Sequence, residues 1–326
     1  MLALRTVTYC TENEETPERA KKKLERDMGP QLLEALHDPK TVEIMLNADG
    51  KLWLERQGER SQCIGTLRRA QAQAIVETVA GYHNKEITKN SPLLEGEFPI
   101  DGSRFAGQLG PVVTGPVFAI RKKAIAVYTL AQYVEAGIMT AAQAQSIADA
   151  VAAHKNILVI GGTGSGKTTL VNAIIQAMVD HDALERFVII EDTGEIQCTA
   201  ANFVQYHTSI EVSMTMLLKT TLRMRPDRIL VGEVRGEEAL DLLDAWNTGH
   251  PGGAATLHAN SASEGLTRLK SLVSRNKSAP SEIEPLIGEA VHVVVHIART
   301  PDGSRRIQEI LEVSGYADGH YKTVSL

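Results

Sequence analysis

The sequence predicts an α/β fold in which a parallel sheet is covered by helices and preceded by a smaller α+β N-terminal domain. Three observations lead there. From Asn156 onward, apolar strand-like runs alternate with amphipathic stretches, the signature of successive βαβ units. A glycine-rich loop, Gly161 to Gly166, joins one of those runs to a helical stretch. Before Arg121-Lys122-Lys123 the texture is different: short β-like runs, a hairpin signal and two helices. A chain of 326 residues is long enough for two modest domains. We place them at 1–122 and 134–326, with a connector at 123–133.

In chain order, Thr16-Pro17 sets an N-cap and a first-turn proline before a charged helix from Glu18 to about Met28, which Gly29-Pro30 interrupts. Few large apolar residues back its basic run (Arg19, Lys21, Lys22, Lys23, Arg26), so a solvated face is expected rather than a lipid-binding one. Val42–Leu46 and Lys51–Glu55 flank Asn47-Ala48-Asp49-Gly50, a hairpin pattern. Leu67–His83 has the spacing of an amphipathic helix. From Pro92 to Arg121, glycines and prolines punctuate short β-like runs. Ala124–Leu130 reads as a connector, and Ala131–His154 as one alanine-rich helical stretch. Strands are expected at Ile157–Ile160, Phe187–Ile190, Arg228–Val231 and Ala254–Leu257, and β character returns from Val291 onward.

Composition excludes several classes. Lysine and arginine number 34 against 40 aspartates and glutamates, a formal charge of −6, which disfavours non-specific nucleic-acid binding. Cys10, Cys63 and Cys198 form no CxxC pair, so neither a cysteine zinc module nor a disulfide framework is expected. No run approaches the roughly 18 apolar residues of a membrane-spanning helix, and no secretory leader is legible. A cytoplasmic protein is expected, with any membrane contact peripheral.

The chemistry concentrates after Ile160. Gly161-Gly162-Thr163-Gly164-Ser165-Gly166-Lys167-Thr168 fits GxxxxGK[ST], a loop whose backbone N–H groups wrap phosphate oxygens. It follows an apolar strand and leads into a helix from Thr169 to about Val179, the setting the motif requires. Lys167 would meet the outer phosphates, and the Thr168 hydroxyl would ligate Mg²⁺. Hydrolysis also needs carboxylates outside the carboxyl ends of the strands. Phe187–Ile190 runs into Glu191-Asp192-Thr193-Gly194-Glu195, and Arg228–Val231 runs into Gly232-Glu233. Glu233 and Glu191 are the stronger candidates; Asp192 and Glu195 stay open. His258 ends a third strand, where it could sense the γ-phosphate or an attacking water. His292 and His296 span about 13 Å along a strand, too far to share a metal.

GGTGSGKTT, VIIEDTGEI, LRMRPDRILVGEVRG and TGHPGGAATLHANS follow in that order over residues 161–262. Together they resemble the secretion-type traffic ATPases of type IV secretion, type II secretion and type IV pili, and most of all the type IV secretion branch. The tetracysteine zinc element of the type II and pilus-extension branches is missing. The resemblance implies a homo-hexameric ring of two-domain subunits, with a RecA-like C-terminal domain, that hydrolyses ATP with Mg²⁺ against inner-membrane components of a secretion or conjugation machine. It implies a phosphate site of Gly161 to Thr169, Thr168 and Glu233 at the metal, Glu191 in the acidic box, and His258 in the histidine box. It also implies that Arg104, in DGSRFAG, and Arg121, in VFAIRKK, reach the phosphates from the N-terminal domain. A pilus-retraction motor of the same superfamily, a RecA-type nucleic-acid motor and a non-hydrolysing nucleotide-gated scaffold are the rival readings.

Overall fold

The computed structural model describes residues 15–56, 59–122, 127–209 and 211–326. Cys10 and residues 123–126 of the expected connector lie outside them. The chain divides into two compact units, Met1–Ile125 and Ala126–Leu326.

The first unit runs α1 (Glu15–His37), β1 (Thr41–Leu46), β2 (Lys51–Arg56), β3 (Gln62–Thr66), α2 (Arg69–Tyr82), β4 (Leu93–Glu97), β5 (Arg104–Gln108) and β6 (Val117–Arg121). α1 starts at Glu15, one residue before the threonine expected to cap it. It is broken where expected: Gly29 sits at φ 70°, ψ 173°, a conformation glycine reaches without a Cβ clash, and Pro30 restarts the helix. The six strands form an antiparallel sheet in the order β3-β2-β1-β6-β5-β4. Alternation along the strands divides its two faces. One row across the sheet, Leu54–Ile44–Ile120–Phe105, is buried with Leu24, Leu32 and Leu36 of α1 and Ile75 and Val76 of α2. The next row carries charge. Lys23, in the basic run of α1, reaches back to the hydroxyl of Thr78 on α2 and pairs with Asp27 at 3.2 Å.

The second unit runs α3 (Leu130–Glu135), α4 (Ala141–Ala152), β7 (Ile157–Ile160), α5 (Lys167–His181), β8 (Phe187–Glu191), β9 (Phe203–His207), α6 (Met214–Thr221), β10 (Arg228–Val231), α7 (Glu238–Asn247), β11 (Ala254–Leu257), α8 (Ala262–Val273), α9 (Ile283–Ala290), β12 (Val293–Arg299), β13 (Arg305–Ala317) and β14 (His320–Ser325). Two helices stand where the alanine-rich stretch suggests one. Gly137, at φ +67°, ends the first, and Thr140 opens the second with a reciprocal capping box to Gln143. Alanine content signals helix but hides a break written in Thr-x-x-Gln.

The eight strands are ordered β14-β13-β12-β7-β11-β10-β8-β9. β12 through β9 are parallel, and the β12–β13–β14 meander is antiparallel. β7, β8, β10 and β11 are buried at every residue, as strands covered on both faces must be. One core lies toward α6–α9, the other toward α3–α5.

Candidate nucleotide site

The loop between β7 and α5 is shaped by its glycines. Gly164 and Gly166 hold φ of +69° and +94°, and a Cβ at Gly161 would collide with the Ile297 carbonyl and the Ser165 hydroxyl. The loop therefore sits hard against β12 and runs directly into the start of α5. The Ser165 hydroxyl is buried with no hydrogen-bond partner. Lys167, 8% exposed, donates to the Gly161 and Gly162 carbonyls at 3.1 and 2.9 Å. An ammonium drawn into the loop, a cradle a Cβ would fill and an orphaned hydroxyl all fit a phosphate chain. Thr168, at the first turn of α5, suits a hard cation beside it, since hydroxyl oxygen is a Mg²⁺-type donor.

Parallel topology brings the strand ends of β8, β10 and β11 to the same edge as this loop. Lys167 Nζ lies 3.3 Å from His258 Nδ1, and His258 Nε2 lies 2.8 Å from Glu233 Oε1. Lysine can only donate, so this arrangement assigns the imidazole proton to Nε2, aimed at Glu233. The other Glu233 oxygen accepts from Arg235 Nη2 at 2.6 Å. Arg235 Nη1 reaches Asp192 at 3.0 Å, and Asp192 accepts from the Thr208 hydroxyl at 2.8 Å. One polar chain thus runs Lys167–His258–Glu233–Arg235–Asp192–Thr208 across the strand ends. Burial pushes the Glu233 carboxyl upward. The hydrogen bond and charge of Arg235, with the Lys167 charge and the His258 ring beside it, outweigh it and leave the group below its ordinary value.

Glu191 is placed differently. It is 2% exposed, and its carboxylate accepts the Glu195 and Ile196 N–H groups at 2.8 and 3.0 Å and the Gln205 side-chain amide. His207 Nε2 stands 3.7 Å away. The carboxylate thereby folds the acidic-box loop back on itself and carries Glu195 to the phosphate side, where it accepts from the Thr168 hydroxyl at 3.2 Å. Buried Asn172 of α5 bonds the Glu195 carbonyl and the Gln197 N–H. Of the two acids that sequence leaves open, Glu195 meets Thr168 and Asp192 meets Arg235. Arg235, Asn172, Gln205 and Thr208 are the residues that sequence reasoning missed. Only Arg235 left a signal, a cation two residues after Glu233. His292 accepts the Asn156 N–H at 3.0 Å, a structural use, and no cluster of metal-binding side chains occurs among the described residues.

Arg104 and Arg121 belong to the first unit. They face each other on β5 and β6, within one row of the sheet: Glu55–Glu43–Arg121–Arg104–Glu97. All five are half-buried. Like charges directly opposed on neighbouring strands destabilise a sheet; here Glu43 and Glu97 flank the pair on either side. Burial, with Arg121 and Arg104 pulling down and Glu55 pushing up, leaves the Glu43 carboxyl above its ordinary value.

A glycine-rich phosphate loop on a parallel sheet, with acids and a histidine at the adjacent strand ends, defines a P-loop nucleotide-binding domain that follows a smaller α+β unit in the chain. The chain matches the model of the Type II/IV secretion system protein family over residues 27–320 and belongs to that family, within its type IV secretion and conjugal-transfer branch. It is 47% identical over 305 residues to the conjugal transfer protein TrbB of Rhizobium radiobacter, covering 94% of each chain. It is 48% identical over 307 residues to a probable conjugal transfer protein TrbB of Sinorhizobium fredii, again 94% of each. The crystal structure of the pilus retraction motor PilT with bound ADP aligns with 90% of this chain and 81% of that one, with a TM-score of 0.61 at 18% identity, a likeness in fold alone. The expected architecture, a RecA-like domain with a parallel sheet preceded by an α+β domain, stands.

Proposed function

We propose that this protein hydrolyses ATP to ADP and phosphate and uses the associated movement of its two domains to power type IV secretion or conjugal transfer. The observation that carries the reading is the Lys167–His258–Glu233 chain, which ties the phosphate loop to a strand-end carboxylate. Gly161 to Thr169 wrap the phosphates and Lys167 supplies their counter-charge. Mg²⁺, held by Thr168 with Glu233 and Glu195 nearby, would neutralise charge that develops on the transferred phosphoryl group. Glu233 orients the attacking water and takes its proton, and His258 holds that carboxylate in register with Lys167. Glu191 serves the same step by holding the acidic-box loop.

Arg104 and Arg121 act when the first unit closes onto the nucleotide site of the second; the stretch expected as a connector, 123–133, already includes the start of α3. Two adjacent guanidiniums on one row of the sheet offer a paired cationic site suited to a polyanion. The working form is a homo-hexamer in the cytoplasm, docked peripherally on inner-membrane components of the machine. The family relationship and the relatives' names support the secretion and conjugal-transfer part of this reading.

Steady-state hydrolysis of ATP by wild type and Lys167→Ala, beside thermal melts of both, tests the site. The lysine lies outside the apolar core, so the variant should fold and lose turnover by about 100-fold or more, the scale of a transition-state electrostatic contact. Normal turnover in a folded variant overturns the assignment.

A further inference from the structure

One cation beside the phosphate loop has no part in the network just described. Arg305 begins β13, and its side chain lies along the loop: a Cβ built on Gly166 would stand 3.0 Å from Arg305 Cδ and 3.3 Å from Nε. The Nε group is shielded from solvent and has no hydrogen-bond partner, and the guanidinium makes no ion pair among the described residues. Burial raises the Tyr133 hydroxyl and the charge of Arg305 pulls it back, which sets the guanidinium within electrostatic range of that ring. Leaving a buried donor unmade costs stability, so a position that maintains one calls for an acceptor supplied from outside the chain.

Its supporting strands hold it firmly. Arg305 pairs with Arg299 across the β12–β13 hairpin. The connecting turn is tied by Asp302, which accepts from the Ser304 N–H at 3.1 Å and hydroxyl at 2.9 Å and from the Thr300 hydroxyl. Strand order then fixes the direction of approach. β12 and β13 lie on one side of β7, while β11 and β10, which deliver His258 and Glu233, lie on the other. The hydrolytic groups therefore crowd one flank of the loop, and Arg305 brings a charge to it from the opposite flank.

We propose that Arg305 is a nucleotide-binding residue whose guanidinium contacts the inner phosphates of bound nucleoside di- and triphosphate, on the flank remote from the reacting γ-phosphate. The proposal rests on the ATPase reading but makes a separate demand. The contact is present equally with ADP, ATP and the transition state, so it contributes uniform binding: it sets affinity and leaves the chemical step alone. Arg104 and Arg121 are assigned the opposite behaviour.

The test compares wild type, Arg305→Gln and Arg305→Lys by titration calorimetry with ADP, by melting with and without ADP, and by kcat and KM for ATP. A charge-assisted hydrogen bond corresponds to roughly 10- to 100-fold in affinity. Arg305→Gln should bind ADP at least about 10-fold more weakly and raise KM to match, with kcat unchanged within about threefold. Arg305→Lys, which retains the charge, should recover part of the loss. Removing an unpaired buried donor should leave the ligand-free melting temperature unchanged or higher, and the stabilisation by ADP should shrink. If Arg305→Gln lowers the ligand-free melting temperature but keeps ADP affinity, the residue is a structural prop and the proposal is overturned. A loss confined to kcat overturns it as well. Should Arg305→Gln fail to fold, the lysine variant decides: wild-type ADP affinity in it, unaltered by added salt, counts against a directed guanidinium contact. Absence of ADP binding in wild type would instead overturn the ATPase reading itself.

Discussion

Glu233 and Glu191 are both strand-end glutamates, yet their surroundings assign them different work. Glu233 is partly open and contacts two side chains that belong to the polar chain from Lys167. Glu191 is closed off, and its oxygens are consumed by the N–H groups of its own loop. Replacing each by glutamine separates them. Glu233→Gln should keep ADP affinity and the melting temperature but lose turnover by about 10²–10⁴-fold, the range of a general base. Glu191→Gln should also lose turnover, but with a lowered melting temperature, because one amide group cannot accept all the donors that the carboxylate serves. Activity assays beside melts check both; identical profiles for the two variants would refute the division of labour.

Arg235 adds a pH signature. It holds the Glu233 carboxyl below its ordinary value against the upward push of burial. A carboxylate with a depressed pKa stays ionised, and so active as a base, until the pH falls beneath the usual glutamate range. In Arg235→Gln the burial stays and the main opposing influence goes, so the carboxyl pKa rises. The acid limb of the pH–rate profile should move to higher pH in that variant, and Arg235→Lys should move it less. An acid limb that does not shift would mean the arginine has no hold on the base.

At the scale of elements, the charged row of the first sheet is the feature that asks for a purpose. β5 and β6 could satisfy their register with any polar pair, but they oppose two arginines. If the proposed closure brings them to the γ-phosphate, Arg104→Gln and Arg121→Gln should each reduce turnover by ten-fold or more with little change in ADP affinity. Glutamine keeps a polar head and part of the aliphatic stem while removing the charge, so a loss of activity with an unchanged melt speaks for function rather than folding. If both variants hydrolyse ATP normally, the arginines serve the sheet alone. This contrast also shows what was legible beforehand. Alternation in VFAIR and the short β-like runs before it announced strands, but the row itself exists only in the pairing of β1, β6, β5 and β4, which is non-local. The same holds in the second unit: Glu233 and His258 could be picked out as strand ends, whereas Arg235 and Arg305 owe their places to neighbours far away in sequence.

For the whole molecule, the separate cores of the two units mean that each can be tested by itself. The segment 126–326 contains the entire parallel sheet and its phosphate loop, and should fold and bind nucleotide. Lacking Arg104 and Arg121, it should hydrolyse ATP at least ten-fold more slowly than the full chain, as measured at saturating nucleotide. Full turnover by the isolated segment would leave no catalytic role for the first unit. Gross architecture was readable because β7, β8, β10 and β11 are continuous apolar runs and the glycine loop has a narrow spacing rule. The two-helix break at Gly137 was less visible, because alanine content speaks for helix on either side of it and the stop is marked only by that glycine and the capping box that follows.

The sheet order of the first unit has a further consequence, for the growing chain on the ribosome. β1 is bordered by β2, its immediate successor, and by β6, which is made only after α2, β4 and β5. Until β6 has emerged, one edge of β1 presents unpaired N–H and C=O groups above an incomplete apolar face, the condition under which strands join the wrong neighbour. The residue that finally pairs with Glu43 on that edge is Arg121. Emergence of Arg121 from the ribosome therefore closes the seam between β1 and β5 just before the nucleotide-binding unit begins to appear, and any fragment ending short of it should aggregate rather than fold.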